Sequence, residues 1–477
     1  MPTPGNSSAM EPARIRLAEP GSPVHLVGIG GVGMAGLARL LLHAGHRITG
    51  SEKMPNRLTD WLDCLGALIF QGHAADQVPS DARLVIRTPA VSADNPELVR
   101  ARELGIPVVF RGEALPLVCE GRRLAGISGT HGKTTTTAMI AGLLRHAGLD
   151  PGWCVGGEPP GLGAVAGPGG SPWLVCECDE SDGTLVHYRP EIGVVTNIEF
   201  DHMEHFSGEE EVLDCFKVFA TRSSRLVACA DDAQAVRLLD SARDGLSYGF
   251  APTAAVRGVD VHGDADSIAA RVEVGGRAAG VLRLNIAGRH NLQNALGALA
   301  VGISAGIPPA DLLGWFPDFR SVDRRFQWLV RSGPVQVVSD YAHHPTEIRT
   351  VLDVARRCSR RLVAVFQPHR FTRTKLLGPQ FPPAFDGLDH LVLAPVYAAS
   401  EPELEGGRSD DLFAALQTRA RVPCELATSL DDAWARLRAI LREGDLLLVI
   451  GAGDVDRIAS LARREFSGQP RPPGASH

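Results

Sequence analysis

The run Gly129-Thr130-His131-Gly132-Lys133-Thr134-Thr135 has the residue types that hold a phosphate chain. Its glycines bound a turn whose backbone N–H groups can face one anion. Lys133 supplies a mobile cation for terminal phosphates, and the Thr134 hydroxyl is placed to ligate Mg²⁺. The spacing departs from the strict Gly-x-x-x-x-Gly-Lys loop: position 127 is Ile, and glycines stand at 126 and 129. The bland reading is a threonine-rich helix start with no ligand. Gly-Lys-Thr directly after an apolar strand weighs against it.

Other clusters follow apolar runs in the same way. Gly28-Ile29-Gly30-Gly31-Val32-Gly33 fits Gly-x-Gly-x-x-Gly, a tight turn that lets a diphosphate approach a helix N-terminus, and Glu52 ends the next strand, where an acid can bind a ribose. Alone, this pair reads as an NAD site, although many ligands carry a diphosphate. Glu177 closes the run Trp173 to Cys176, the place of a magnesium-holding acid in phosphate-loop proteins. Cys176 and Cys178 flank it, but Cys-x-Cys with one nearby His is a poor tetrahedral set for zinc. His202, in Asn197-Ile198-Glu199-Phe200-Asp201-His202, is a second metal ligand, an orienting group or a structural histidine. Asn291 and Asn294 are helix caps or contacts to a purine. Between Arg356 and Lys375 stand seven Lys or Arg and no acid. The stretch after the Leu362–Phe366 strand then sits at a sheet's carboxyl end, which favours anion binding over a merely solvated face.

These clusters need parallel sheets to position them, and the chain supplies the pattern. Strands alternate with helices over residues 22–121, which predicts a doubly wound α/β sheet. A second region, 122–331, carries the phosphate loop, a peripheral β stretch between 250 and 288, and an Ala/Leu helix from Asn291 to Ala305. A third, 332–466, alternates again. Residues 1–21 and 467–477 read as flexible tails rich in Pro, Gly and Ser. Of 477 residues, 44% are hydrophobic and 22% charged, with a net charge of −7. That excludes a general nucleic-acid binder. Nine scattered cysteines favour reduced thiols in a cytoplasm over a disulfide framework. No apolar run is long enough for membrane insertion.

Assembled, the motifs resemble the Mur ligases, ATP-dependent amide-forming enzymes of peptidoglycan precursor synthesis, over roughly residues 22 to 460. The markers are the first glycine turn, Gly-Thr-His-Gly-Lys at 129–133, Glu-x-Asp-Glu-Ser-Asp from Glu177, Thr196-Asn197-Ile198, Asp323-Arg324-Arg325-Phe326, Asp340-Tyr341-Ala342-His343-His344-Pro345-Thr346-Glu347, and Gln367-Pro368-His369-Arg370-Phe371-Thr372-Arg373-Thr374. His131 stands where sister ligases mostly carry Asn. It points to the branch that joins L-alanine to UDP-N-acetylmuramate, with a ligase that attaches recycled murein peptides as the alternative.

The resemblance implies three domains: an N-terminal Rossmann-like domain, a central P-loop ATPase domain and a C-terminal Rossmann-like domain. It implies a UDP-sugar, not NAD, on Gly28, Gly30, Gly31, Gly33, Ser51, Glu52 and His73. ATP would take Gly129, Thr130, His131, Gly132, Lys133, Thr134, Thr135, His290, Asn291, Asn294, Arg325 and Asp340. Thr134, Glu177 and His202 would hold Mg²⁺, with two ions expected. Tyr341, His343, His344, Arg370 and Arg373 would line the amino-acid and acyl-phosphate site, and Asn197 would bind substrate. Lys133, Glu177, His202, His344, Arg370 and Arg373 would be catalytic. The expected state is a monomer or homodimer. Glu52 departs from the family's usual Asp, and the Gly/Pro-rich stretch from Glu158 to Ser171 replaces an Asn-rich loop.

Overall fold

The computed structural model describes residues 7–201, 205–358 and 360–467. His202, and nearly all of the 467–477 segment expected to be a tail, lie outside the described residues. The described chain forms two compact units. The first holds residues up to 262 with 268–285 and 289–320; the second holds 263–267, 286–288 and everything from 321 onward.

The first unit contains two sheets. In the N-terminal one, β1 (Pro23–Val27), β2 (Arg47–Glu52), β3 (Leu68–Gln71), β4 (Leu84–Arg87) and β5 (Val108–Phe110) lie parallel in the order β3-β2-β1-β4-β5. The order reverses beside β1, so a crevice opens at the carboxyl ends there. β1 and β4 are almost entirely buried apolar strands, as expected of a parallel sheet covered on both faces.

The second sheet has ten strands. Its parallel centre is β11 (Arg225–Cys229), β10 (Ile192–Val195), β6 (Arg123–Ser128), β9 (Trp173–Glu177) and β7 (Gly152–Cys154). The two-residue β8 (Ala166–Gly167) pairs antiparallel with β7, so part of the Glu158–Ser171 stretch joins the sheet edge. On the other side come β12 (Gly245–Gly249), β13 (Val256–Gly263), β14 (Ile268–Val274) and β15 (Arg277–Leu284), which form the expected peripheral β-region. The sheets share a core. Leu26 and Leu37 belong to the same buried cluster as Cys154, Leu174 and Phe219. The boundary near residue 121 therefore separates two sheets but not two cores.

One expectation fails at the N-terminus. Ser7–Leu17 is a helix, not a loose tail. Ala13 is fully buried, Met10 and Leu17 pack on the same core, and Arg14 pairs with Glu120 at 3.0 Å. Met10, Ala13 and Leu17 recur at helical spacing, so one apolar stripe pins a segment whose composition looks unstructured.

The second unit is a six-stranded sheet: β16 (Gln327–Val330), β17 (Gln336–Asp340), β21 (Leu446–Ile450), β18 (Leu362–Phe366), β19 (His390–Leu393) and β20 (Cys424–Leu426), in that order. β16 is antiparallel to β17; the rest are parallel. β16 corrects the expected boundary at 331/332. Residues 321–331 belong to the third region, because Gln327 and Trp328 pair with Ser339 and Val338.

Candidate active site

β6 delivers the phosphate loop, and the helix Lys133–His146 begins where it ends. Gly132 has φ +83°, a left-handed conformation that side chains resist. A Cβ there would also meet Asn294 Oδ1 at 2.8 Å, which puts the start of the helix Arg289–Ser304 against the loop. Asn291 and Asn294 are buried and His290 half-buried at that helix start. Thr134 and Thr135 are buried in the first turn after the loop.

The exit of β10 braces the loop. Thr196 Oγ1 and Asn197 Nδ2 donate to the His131 carbonyl at 2.7 and 3.0 Å. Asn197 Oδ1 accepts the His131 N–H at 2.8 Å, and the Asn197 carbonyl accepts the Thr130 N–H at 3.0 Å. Asn197, expected to bind substrate, has its amide committed to the phosphate loop.

Lys133 Nζ donates to Glu180 Oε1 at 2.9 Å and to the Gly129 carbonyl at 2.6 Å. Burial alone would lower its pKa. Glu180, Asp179 and Glu177 outweigh burial and raise it, so the lysine is a cation. Glu177, at the end of β9, accepts from the Thr134 hydroxyl at 3.2 Å and from the Gly156 N–H at 2.9 Å. Burial raises its pKa, against the pull of Lys133. A carboxylate and a hydroxyl side by side are hard oxygen donors, the kind Mg²⁺ takes.

In the N-terminal sheet, Gly28 has φ +80°, and the Gly28 and Ile29 N–H groups donate to the Ser51 carbonyl at 2.9 and 3.0 Å. Gly31 is the N-cap of the helix Val32–His43 and has no side chain to cap it, the setting in which a helix end takes a phosphate. Glu52 Oε2 accepts the Gly30 N–H at 2.9 Å, and Asn56 donates to the Gly30 carbonyl at 3.1 Å. Glu52 thus shapes the turn itself. Ser51 and His73 converge on Glu97, a fully buried acid in the first turn of the helix Pro96–Glu103. Ser51 Oγ lies 2.6 Å from its carboxylate and His73 Nδ1 3.1 Å. His25 reaches the same carboxylate at 3.1 Å.

In the second unit, Asp340 ends β17 and accepts the Phe326 and Ala342 N–H groups, each at 2.7 Å. Arg325 pairs with Glu347 at 3.7 Å and lies over the Tyr341 ring. His343 Nδ1 is 3.0 Å from the Tyr341 carbonyl. His344, expected to be catalytic, is buried, and its Nδ1 accepts the Thr346 N–H as the N-cap of the helix Pro345–Ala355. Beyond β18, Arg373 reaches His369 Nδ1 at 3.2 Å, and Arg370 faces Glu401 at 3.5 Å. Arg370 has φ +70°, a strained position of the kind that clusters at functional sites.

Three family models match in sequence order. The Mur ligase family catalytic-domain model covers residues 23–123, the Mur ligase middle-domain model 127–302, and the Mur ligase glutamate-ligase-domain model 324–453. The chain belongs to the Mur ligase family. A UDP-N-acetylmuramate–L-alanine ligase of Gloeobacter violaceus is 42% identical to this Mur ligase over 438 residues, 92% of this chain and 95% of its own length. One from Thermosynechococcus vestitus is 40% identical over 448 residues, 91% of this chain and 94% of its own. The solved UDP-N-acetylmuramate-alanine ligase of Thermotoga maritima matches with a TM-score of 0.78 at 29% identity, covering 93% of this chain and 98% of that one. The murein peptide ligase of Psychrobacter arcticus shares the fold, with a TM-score of 0.72 at 21% identity, covering 94% of this chain and all of that one. The three-domain α/β architecture is thus that of the family, and the middle model starts within β6, just before the phosphate loop.

Sequence reasoning missed several polar partners in this Mur ligase: Glu97, His25, Arg111, Glu180, Glu347 and Glu401. Glu180 and Glu347 sat inside quoted motifs, as the acids following Glu177 and His344. Glu97 and Arg111 carried no motif; only their places after β4 and β5 make them part of the site.

Proposed function

We propose that this Mur ligase joins L-alanine to the carboxylate of UDP-N-acetylmuramate at the expense of ATP, releasing ADP and phosphate. The observation that carries the reading is the assembly at the ends of β6 and β9: a phosphate loop, a buried charged lysine and a buried acid beside the Thr134 hydroxyl. The similarity to L-alanine ligases over nine-tenths of the chain supports the substrate assignment.

The sugar nucleotide's diphosphate sits on the glycine turn and the helix end at Gly31. The γ-phosphate of ATP faces Lys133. The carboxylate attacks γ-phosphorus, ADP departs, and the alanine amine displaces phosphate from the acyl phosphate. An anion attacking an anion requires preorganised positive charge, commonly worth several kcal/mol, on the order of 3–4 for a single donor. Lys133 supplies it. Glu177 and Thr134, with His202, would hold Mg²⁺, which when bound neutralises phosphate charge. Among the described residues no helix is long and apolar enough to cross a membrane.

The test is phosphate release from ATP, Mg²⁺ and UDP-N-acetylmuramate. It should require L-alanine and should vanish in Lys133→Ala while UDP-sugar binding persists. Release that a murein tripeptide supports and L-alanine does not would transfer the chain to the peptide-recycling reaction. No release with either would end the ligase reading.

A further inference from the structure

Arg111 opens the helix Arg111–Cys119 directly after β5. Among the described residues its one hydrogen-bond partner is Asp179 Oδ2, at 3.4 Å, and its side chain is 19% exposed. That is a single long contact from a planar fork with five N–H donors. Burial works to lower its pKa, but Asp179, Tyr188 and Asp182 overrule burial and raise it, so the charge is permanent.

The position is specific. A Cβ on Gly33 would lie 3.1 Å from the Arg111 Cδ, so the stem of the arginine rests against the last glycine of the diphosphate turn. The arginine also lines a cavity of about 200 Å³ together with Gly33, Gly156, Glu177 and Asp179. This cavity therefore joins the diphosphate turn to the acid beside the phosphate loop. Arg111 is the one cation among its lining residues, and Glu177 and Asp179 both repel an anion that enters. The glycine turn and the helix end at Gly31 already serve the diphosphate in the ligase reading. The remaining anionic group of the sugar nucleotide is the carboxylate that must reach γ-phosphorus.

We propose that Arg111 binds the reacting carboxylate of the sugar nucleotide and holds it in the cavity between Gly33 and Glu177. This rests on the ligase reading above. One carboxylate oxygen forms the bond to γ-phosphorus. The bond from that phosphorus to the bridging oxygen breaks, and its electron pair leaves on ADP. The other carboxylate oxygen stays on the guanidinium, which offsets the repulsion from Glu177 and Asp179 without taking a proton.

Calorimetric titration of R111M and R111K with two ligands tests the assignment. UDP-N-acetylmuramate carries the carboxylate; UDP-N-acetylglucosamine has the same diphosphate and sugar without it. R111M should weaken the first by at least about tenfold, the scale of one hydrogen bond to a charged group, and leave the second unchanged. R111K, which keeps the charge but loses the fork, should recover part of the loss. Equal weakening of both ligands, or of neither, overturns the proposal. If the wild-type chain itself shows no alanine-dependent phosphate release, it is the ligase reading that fails.

Discussion

Lys133 and Glu180 form a buried ion pair, Nζ to Oε1 at 2.9 Å, with side chains 12% and 2% exposed. A phosphate that engages this lysine competes with the carboxylate for it.

The pair makes a first prediction. Glu180→Gln leaves a buried lysine short of compensating charge, which costs about 3 kcal/mol by the usual penalty for breaking such a pair. The variant should melt several degrees lower. A non-hydrolysable ATP analogue should raise its melting temperature by more than it raises that of the wild type. Equal shifts in both proteins would show that the phosphate does not take over the role of Glu180.

Glu97 makes a second. Burial tends to raise its pKa, but hydrogen bonds from His25, Ser51 and His73 prevail and lower it below the ordinary 4.5. An acid held low stabilises the fold above its unfolded value, and that contribution is lost as pH falls through the folded value. Wild type should therefore exceed Glu97→Gln in stability, by about 1–3 kcal/mol near pH 7. The gap should narrow below pH 4.5. Denaturant titration across pH measures it; a gap that widens in acid contradicts the assignment.

Asp340 has the opposite sign. Burial pushes its carboxyl up to about 6, with Arg325 pulling against that. From about pH 4 to 6 the folded chain keeps a proton that the unfolded chain has lost, so stability falls across that interval and levels off above it. Comparing wild type with Asp340→Asn at pH 4 and pH 7 should show the difference move against the wild type by up to about 3 kcal/mol. A pH-independent difference would mean that this carboxyl is not displaced.

The boundary at residue 320 can be checked by cutting the gene. A fragment beginning at Ser321 retains β16 and should unfold cooperatively. One beginning at Ser332 lacks β16, exposes the β17 edge and removes Arg325 and Phe326 from Asp340; it should be aggregation-prone. Gel filtration and thermal melts distinguish the two.

The strand ends were legible because each motif couples a special turn to a preceding apolar run, as at Gly28, Lys133, Glu177 and Asp340. Long-range partners were not. Glu97 and Arg111 lie in ordinary helical first turns, and only the pairing of β4 with β1, and of β5 with β4, brings them to the crevice. The helix Ser7–Leu17 escaped because its small apolar stripe is hidden among Pro, Ser and Gly. In sequence, β16 reads as the tail of the central region, because an antiparallel edge strand before the first parallel strand breaks the strand–helix alternation that marks the third region.

The brace on His131 bears on how fast and how tightly a nucleotide can bind. Thr196 and Asn197 fix both the N–H and the carbonyl of the loop's central residue, so the loop is ordered when the chain folds, not when the ligand arrives. Binding then carries little of the conformational entropy cost of shaping a glycine-rich segment, and encounter with the phosphate chain needs no prior rearrangement of the backbone.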